Sequence, residues 1–149
     1  YEMCGRDWSS DVCSSDLSAA LAKIVAPMGV DVIDCSSGGI LSKPPLVAPA
    51  LGYQVPYADQ IRRDSGVMTM AVGLIVQPEQ AETILAQGKA DLIALAREML
   101  YNPNWAMDAA QKLGFDQNFE MVPPPYRYWL SRRAATLPQI KPSTFGSTA

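Results

Sequence analysis

Gly73 and Arg97 stand near the ends of two apolar runs rich in β-branched residues, Val67–Ile75 and Ala90–Ala96. A glycine lets backbone N–H groups approach a ligand closely, and an arginine supplies a planar fork of donors. Both are suited to an anion, above all a phosphate. The plain alternatives are a turn glycine and a solvated arginine at a helix start, and the spacing alone leaves them open.

The elements that would position these residues can be read from the same stretch. Between the two runs, Pro78–Lys89 carries a helical apolar spacing (Ala81, Ile84, Leu85) and stops at Gly88. Two near-continuous apolar strands joined by a helix predict parallel neighbours covered on both faces. In a β/α barrel the phosphate site lies on the loops after strands seven and eight, beside a short extra helix. Glu98–Tyr101, ahead of Asn102-Pro103, fits that helix.

Bulk properties narrow the classes. The 149 residues, 48% of them hydrophobic, suit one globular domain of ordinary size. A net charge of −3 without a basic run argues against nucleic acid. No apolar stretch is long enough to span a bilayer and nothing resembles a signal peptide, so no membrane partner and a cytoplasmic location are expected. Three cysteines without histidine make neither a disulfide framework nor a zinc pattern. With no histidine in the chain, no proton transfer here uses one.

Residues 1–17 clash with the rest of the chain. They are polar, rich in Ser and Asp, and hold Cys4 and Cys13. Asp7–Leu17 is the peptide a common sequencing adapter encodes, so 1–17 is expected to be foreign and disordered, and the natural chain to be cut. From Ser18 the pattern is regular. Ser18–Met28 reads as an amphipathic helix presenting Leu21, Ile24 and Val25, and Val30–Ser36 as a strand with Cys35 buried and inert near its end. Asp34 and Ser36 face a ligand or cap a loop, the loop role being favoured. Ile40–Gly52 is a Pro-rich loop, and Val55–Ser65 a helix with Pro56 in its first turn. Trp105–Leu113 is a further helix, Pro123–Pro125 a stiff extended spacer, and Tyr126–Leu130 an aromatic cluster ahead of a polar, mobile tail. The alternation gives three βα units, too few to close a barrel of eight. The domain reading is therefore 1–17 foreign, 18–114 a partial β/α barrel and 115–149 a C-terminal tail.

Several motifs occur in order: GVDVIDCSSGG at 29–39, GYQVPYADQIRR at 52–63, AVGLI at 71–75, AQGKADLIALAREML at 86–100 and NPNW at 102–105. On these the chain strongly resembles the carboxyl-terminal part of the old yellow enzyme family, in its bacterial branch of NADPH dehydrogenases and xenobiotic reductases. The resemblance runs from Ser18 to Trp129 and implies an α/β fold. The three strands become the sixth, seventh and eighth of a TIM (β/α)8 barrel carrying FMN. It implies backbone donors from Val72 and Gly73 to the FMN phosphate. Ala96 and Arg97 match the family's Gly-Arg pair, with Ala96 a departure and Arg97 holding the phosphate. Trp129, ahead of Tyr126 and Arg127, matches the residue that can enter a neighbouring subunit's substrate site. The implied reaction passes hydride from NADPH through FMN to an activated alkene, with the full-length parent a homo-oligomer. The family's substrate-anchoring histidines and proton-donating tyrosine belong to the first five strands, so no catalytic residue is expected here. The chain alone is expected to be inactive and unstable, since Val30–Ser36 presents an unpaired edge. Two other readings stay open: another phosphate-binding barrel enzyme, and a non-catalytic half-barrel that binds phosphate or flavin.

Overall fold

The computed structural model describes residues 12–37 and 50–136, so most of the Pro-rich loop, residues 1–11 and residues 137–149 lie outside the described residues. The element order is α1 (Val12–Val25), a 3-10 turn (Ala26–Met28), β1 (Val32–Cys35), α2 (Val55–Ser65), β2 (Met68–Ala71), α3 (Pro78–Ala86), β3 (Leu92–Ile93), α4 (Arg97–Tyr101), α5 (Trp105–Lys112) and α6 (Pro124–Thr136). They form two compact units. One holds Thr83–Ala94 and the described residues up to Ile75; the other holds Val76–Glu82 and those from Leu95 onward.

In the first unit β1, β2 and β3 make a parallel sheet in that order. Val32 pairs with Met68, Cys35 with Ala71, and Met70 with Leu92. Paired residues share a face, so Ile33, Cys35, Thr69, Ala71 and Ile93 point one way and Val32, Asp34, Met68, Met70 and Leu92 the other. The first set meets the helices: α2 packs on β1 and β2, and α1 packs on α2. On the second face Met68 and Leu92 are 48% and 46% exposed. The expectation of cover on both faces is thus corrected. The sheet is open, three strands wide and covered on one face, and the α/β reading holds without a closed barrel.

The helix ends obey local chemistry. α2 starts with proline in its first turn and ends at Gly66, whose N–H donates to Arg62 C=O at 2.9 Å. Its buried stripe is Val55, Ala58 and Ile61. α1 differs from expectation twice. It begins at Val12, so 12–17 are helical and the disorder expected there is corrected; a helix propagates readily into flanking residues free of Gly and Pro. Its buried residues are Ala19 and Ala22, while Leu21 and Ile24 are exposed. Small side chains let α1 and α2 approach closely, which the bulkier Leu21 and Ile24 would prevent.

A core built largely of alanine removes little apolar area per residue, about 25 cal/mol for each Å². Polar contacts therefore weigh more. The Asp91 carboxylate, just before β3, accepts from Arg62 Nε of α2 at 2.9 Å and from Thr69 N of β2 at 2.9 Å. Arg62 also donates to Gly88 C=O at 3.1 Å. One carboxylate thus ties a helix to the amino ends of two strands.

The second unit is pinned by the Trp105 indole N–H, which donates to Val76 C=O at 2.9 Å. Asp116 organises the following loop by accepting from Glu120 N at 2.7 Å and Met121 N at 2.9 Å, which hold its carboxyl below the usual range. The extended spacer expected at Pro123–Pro125 is corrected, because α6 starts at Pro124. Proline lacks an N–H that the first helical turn would leave unpaired in any case, so prolines there begin a helix.

The Arg62 guanidinium holds the Asp91 carboxyl below its ordinary value. A depressed pKa stabilises the fold fully above the unfolded carboxyl value of about 3.9, and that stabilisation is lost as pH falls through the lower folded value. Asp91→Asn is expected to lower Tm by several degrees at pH 7, with the gap to the parent closing below about pH 4. Thermal melts across pH check this; a gap independent of pH would contradict it.

Candidate functional site at the carboxyl edge of the sheet

β2 ends at Ala71, and the chain then turns through Val72, Gly73 and Leu74. Gly73 has φ +113°, a backbone open to glycine and strained for other residues. Its surroundings exclude a side chain as well. A Cβ there would lie 3.0 Å from Tyr53 Cε1 and 3.1 Å from Gln54 Cγ. Leu74 follows at φ +51°, so two successive residues adopt left-handed backbone. The cost of placing a leucine there is about 1–2 kcal/mol. Its C=O accepts from Gly52 N–H at 3.3 Å, which binds this loop to the turn ahead of α2.

Val72 directly follows the Cys35–Ala71 ladder pair, and the N–H of the next residue, Gly73, donates to no acceptor among the described residues although Gly73 is buried. Buried backbone donors are nearly always paired. An unpaired donor on a glycine that tolerates no Cβ leaves room for an anion to approach the backbone here.

Ala96 and Arg97 belong to the second unit. Arg97 opens α4, so the short helix expected at Glu98–Tyr101 is present and starts one residue earlier. Arg97 is exposed and makes no ion pair among the described residues. Ala96 precedes it with φ −108° and an exposed methyl, so the position makes no demand for left-handed backbone. Trp129 lies on α6 and is 68% exposed. Its ring meets Tyr128 edge-on, with centroids 5.1 Å apart at 78°. No residue of α6 is buried.

Cys35 is buried, as expected, and its Sγ lies 3.5 Å from Ile33 C=O. Burial, with the charge of Asp34 adding to it, pushes the thiol up to about 11, so it stays protonated at neutral pH. It lines a cavity of about 180 Å³ with Ala22, Ile33, Ser37, Tyr57 and Ile61. Neither Val72 nor Gly73 borders this cavity. Asp34 is exposed on the uncovered face of the sheet.

Sequence reasoning missed Gln54. It is 4% exposed, and its Oε1 accepts from Ser37 N–H at 2.6 Å. A polar residue inside the GYQVP stretch, directly before a proline-started helix, was the available signal.

The profile of the NADH:flavin oxidoreductase / NADH oxidase family matches residues 7–116. An NADPH dehydrogenase of Listeria monocytogenes serotype 4a (strain HCC23) is 53% identical over 93 residues, covering 62% of this chain and 27% of its own. One from Halalkalibacterium halodurans is 51% identical over 94 residues, 63% of this chain and 27% of its own. One from Geobacillus sp. (strain WCH70) is 52% identical over 93 residues, with 62% and 27% covered. The aligned part of the chain thus spans 27% of the length of these curated relatives.

Gly73→Ala tests this loop directly. The clash with Tyr53 and the strained φ are expected to destabilise the first unit by about 1–3 kcal/mol. Urea unfolding checks it, and a loss under about 0.5 kcal/mol, the range of an ordinary surface substitution, would contradict the geometry.

Proposed function

The chain belongs to the NADH:flavin oxidoreductase / NADH oxidase family, and from that premise we propose that it supplies the phosphate end of the FMN site in an NADPH-dependent ene-reductase. The observation that carries this reading is the buried Gly73 after β2, with φ +113°, an N–H without an acceptor among the described residues and surroundings that admit no Cβ. Bound FMN would supply hydride transfer from NADPH to an activated alkene. The residues of this chain bind and orient. Val72 and Gly73 offer backbone donors to the phosphate, and Arg97 offers a guanidinium with no competing carboxylate among the described residues. Ala96, where the resemblance calls for glycine, leaves that role intact because its φ is negative.

On the same reading β1, β2 and β3 are strands six to eight of a (β/α)8 barrel. The half-exposed Met68 and Leu92 support it, since the inner face of a barrel strand is covered only by the other strands. Trp129 is read as a residue that reaches the substrate site of a neighbouring subunit in the homo-oligomeric parent, which its exposure permits. Residues 1–17 are read as foreign to the natural chain, although the match to the family profile begins at residue 7. No helix among the described residues is long and apolar enough to cross a membrane, and a cytoplasmic location belongs to this reading. The chain contains no histidine, and the groups that anchor substrate and donate the proton are assigned outside it. By itself it is expected to bind flavin phosphate without oxidising NADPH.

Titrating the chain with FMN and with riboflavin, which lacks the phosphate, tests the assignment. A charge-assisted contact contributes about 1.5–3 kcal/mol, so FMN is expected to bind at least tenfold tighter. Arg97→Ala is expected to remove most of that preference. Equal affinity for the two flavins, or NADPH oxidation by the chain alone, would overturn the reading.

A further inference from the structure

No step of the flavin-phosphate reading uses the NPNW stretch at 102–105, yet its first residue, Asn102, is buried. That residue ends α4, the helix that Arg97 opens. α4 is five residues long, none of them is buried, and no side chain caps its amino end. So short a helix does not hold its shape by propensity alone. Its carboxyl end is held by Asn102 through three hydrogen bonds. The Asn102 N–H donates to Glu98 C=O at 2.8 Å. Asn102 Oδ1 accepts from Asn104 N–H at 3.1 Å, and Asn102 C=O accepts from Trp105 N–H at 3.0 Å. The side-chain bond closes an Asx turn across Pro103, which has no N–H of its own to compete. One buried residue thus ends α4 and starts α5.

α5 is fixed in its turn. The Trp105 indole holds Val76 C=O, and the buried Asp108 carboxylate pairs with Lys112 Nζ at 3.0 Å. All these residues belong to the second unit. An anchored helix, a buried joint and a short helix with no buried residue follow one another, and the exposed Arg97 lies at the far end of that series. We propose that Asn102 is the positioning residue of Arg97, locking α4 onto α5 so that the guanidinium is held in place for the phosphate. The proposal rests on the flavin-phosphate reading above and deepens it. Asn102 acts only through the helix and does not touch the ligand. Its buried NH2 has no partner among the described residues, so the joint uses the oxygen of the carboxamide and not the nitrogen.

The test compares FMN and riboflavin affinities, by calorimetric titration, for the parent chain, Asn102→Leu and Asn102→Ser, with a thermal melt of each. Asn102→Leu keeps the bulk and removes the acceptor, whereas Asn102→Ser keeps an oxygen able to close the same turn. Asn102→Leu is expected to lower the ratio of FMN to riboflavin affinity about fivefold or more, with riboflavin affinity within about twofold of the parent. Asn102→Ser is expected to stay closer to the parent ratio than to that of Asn102→Leu. In an Arg97→Ala background Asn102→Leu is expected to change the ratio no further, because its effect passes through Arg97. A ratio within about twofold of the parent in Asn102→Leu, equal losses in the two variants, or the same loss without Arg97 would each overturn the proposal and leave the phosphate reading standing. A parent chain with no preference for FMN over riboflavin would overturn the phosphate reading itself, and the proposal with it. If Asn102→Leu fails to fold, Asn102→Ala, which also lacks the acceptor, decides by the same comparisons.

Discussion

Three short parallel strands share few ladder hydrogen bonds, so the sheet depends on what holds its two ends. At the amino end Asp91 gathers Arg62 and Thr69 N–H onto one carboxylate. At the carboxyl end Gln54 takes Ser37 N–H and packs on Gly73. Both clamps are side chains bonded to backbone across strands, and both leave α2 or the residue before it as the common anchor. The apolar core offers little redundancy, since Ala19, Ala22, Ala58, Ala71 and Ala90 make up much of it. Among the described residues Thr69 is the largest side chain that is fully buried.

The two ends have different fates. The amino end is internally satisfied: carboxylate, guanidinium, backbone donor and the Gly88 carbonyl answer one another. The carboxyl end is left with the buried N–H of Gly73 unspent among the described residues. In open and closed α/β sheets alike, ligands bind at the carboxyl ends of strands. The asymmetry in hydrogen bonding between the two edges follows that division between stability and binding.

Helix boundaries were legible because single residues dictate them. Pro56 and Gly66 bracket α2, whose bounds coincide with expectation at Val55 and Ser65. Strand lengths were not legible. The apolar run Val67–Ile75 continues past β2, which stops at Ala71 because Gly73 and Leu74 leave extended backbone. The run Ala90–Ala96 likewise yields a two-residue β3. A continuous apolar run also predicts cover on both faces without saying what provides it, and here one face is open. The triple proline misled because proline serves an extended spacer and a helix start equally well. Of the site, Gly73 and Arg97 were visible by type and spacing. Gln54 was not, since its partner Ser37 lies seventeen residues away and its burial is a tertiary fact.

The central claim is that the loop after β2 is an anion cradle for the phosphate of FMN. The most direct measurement is a ¹H–¹⁵N correlation spectrum of the chain during addition of FMN, with riboflavin as control. The account predicts that the Val72 and Gly73 amides shift first and furthest with FMN and stay nearly still with riboflavin. Shifts confined to residues around Cys35 and Tyr57, with Val72 and Gly73 unmoved, would contradict it.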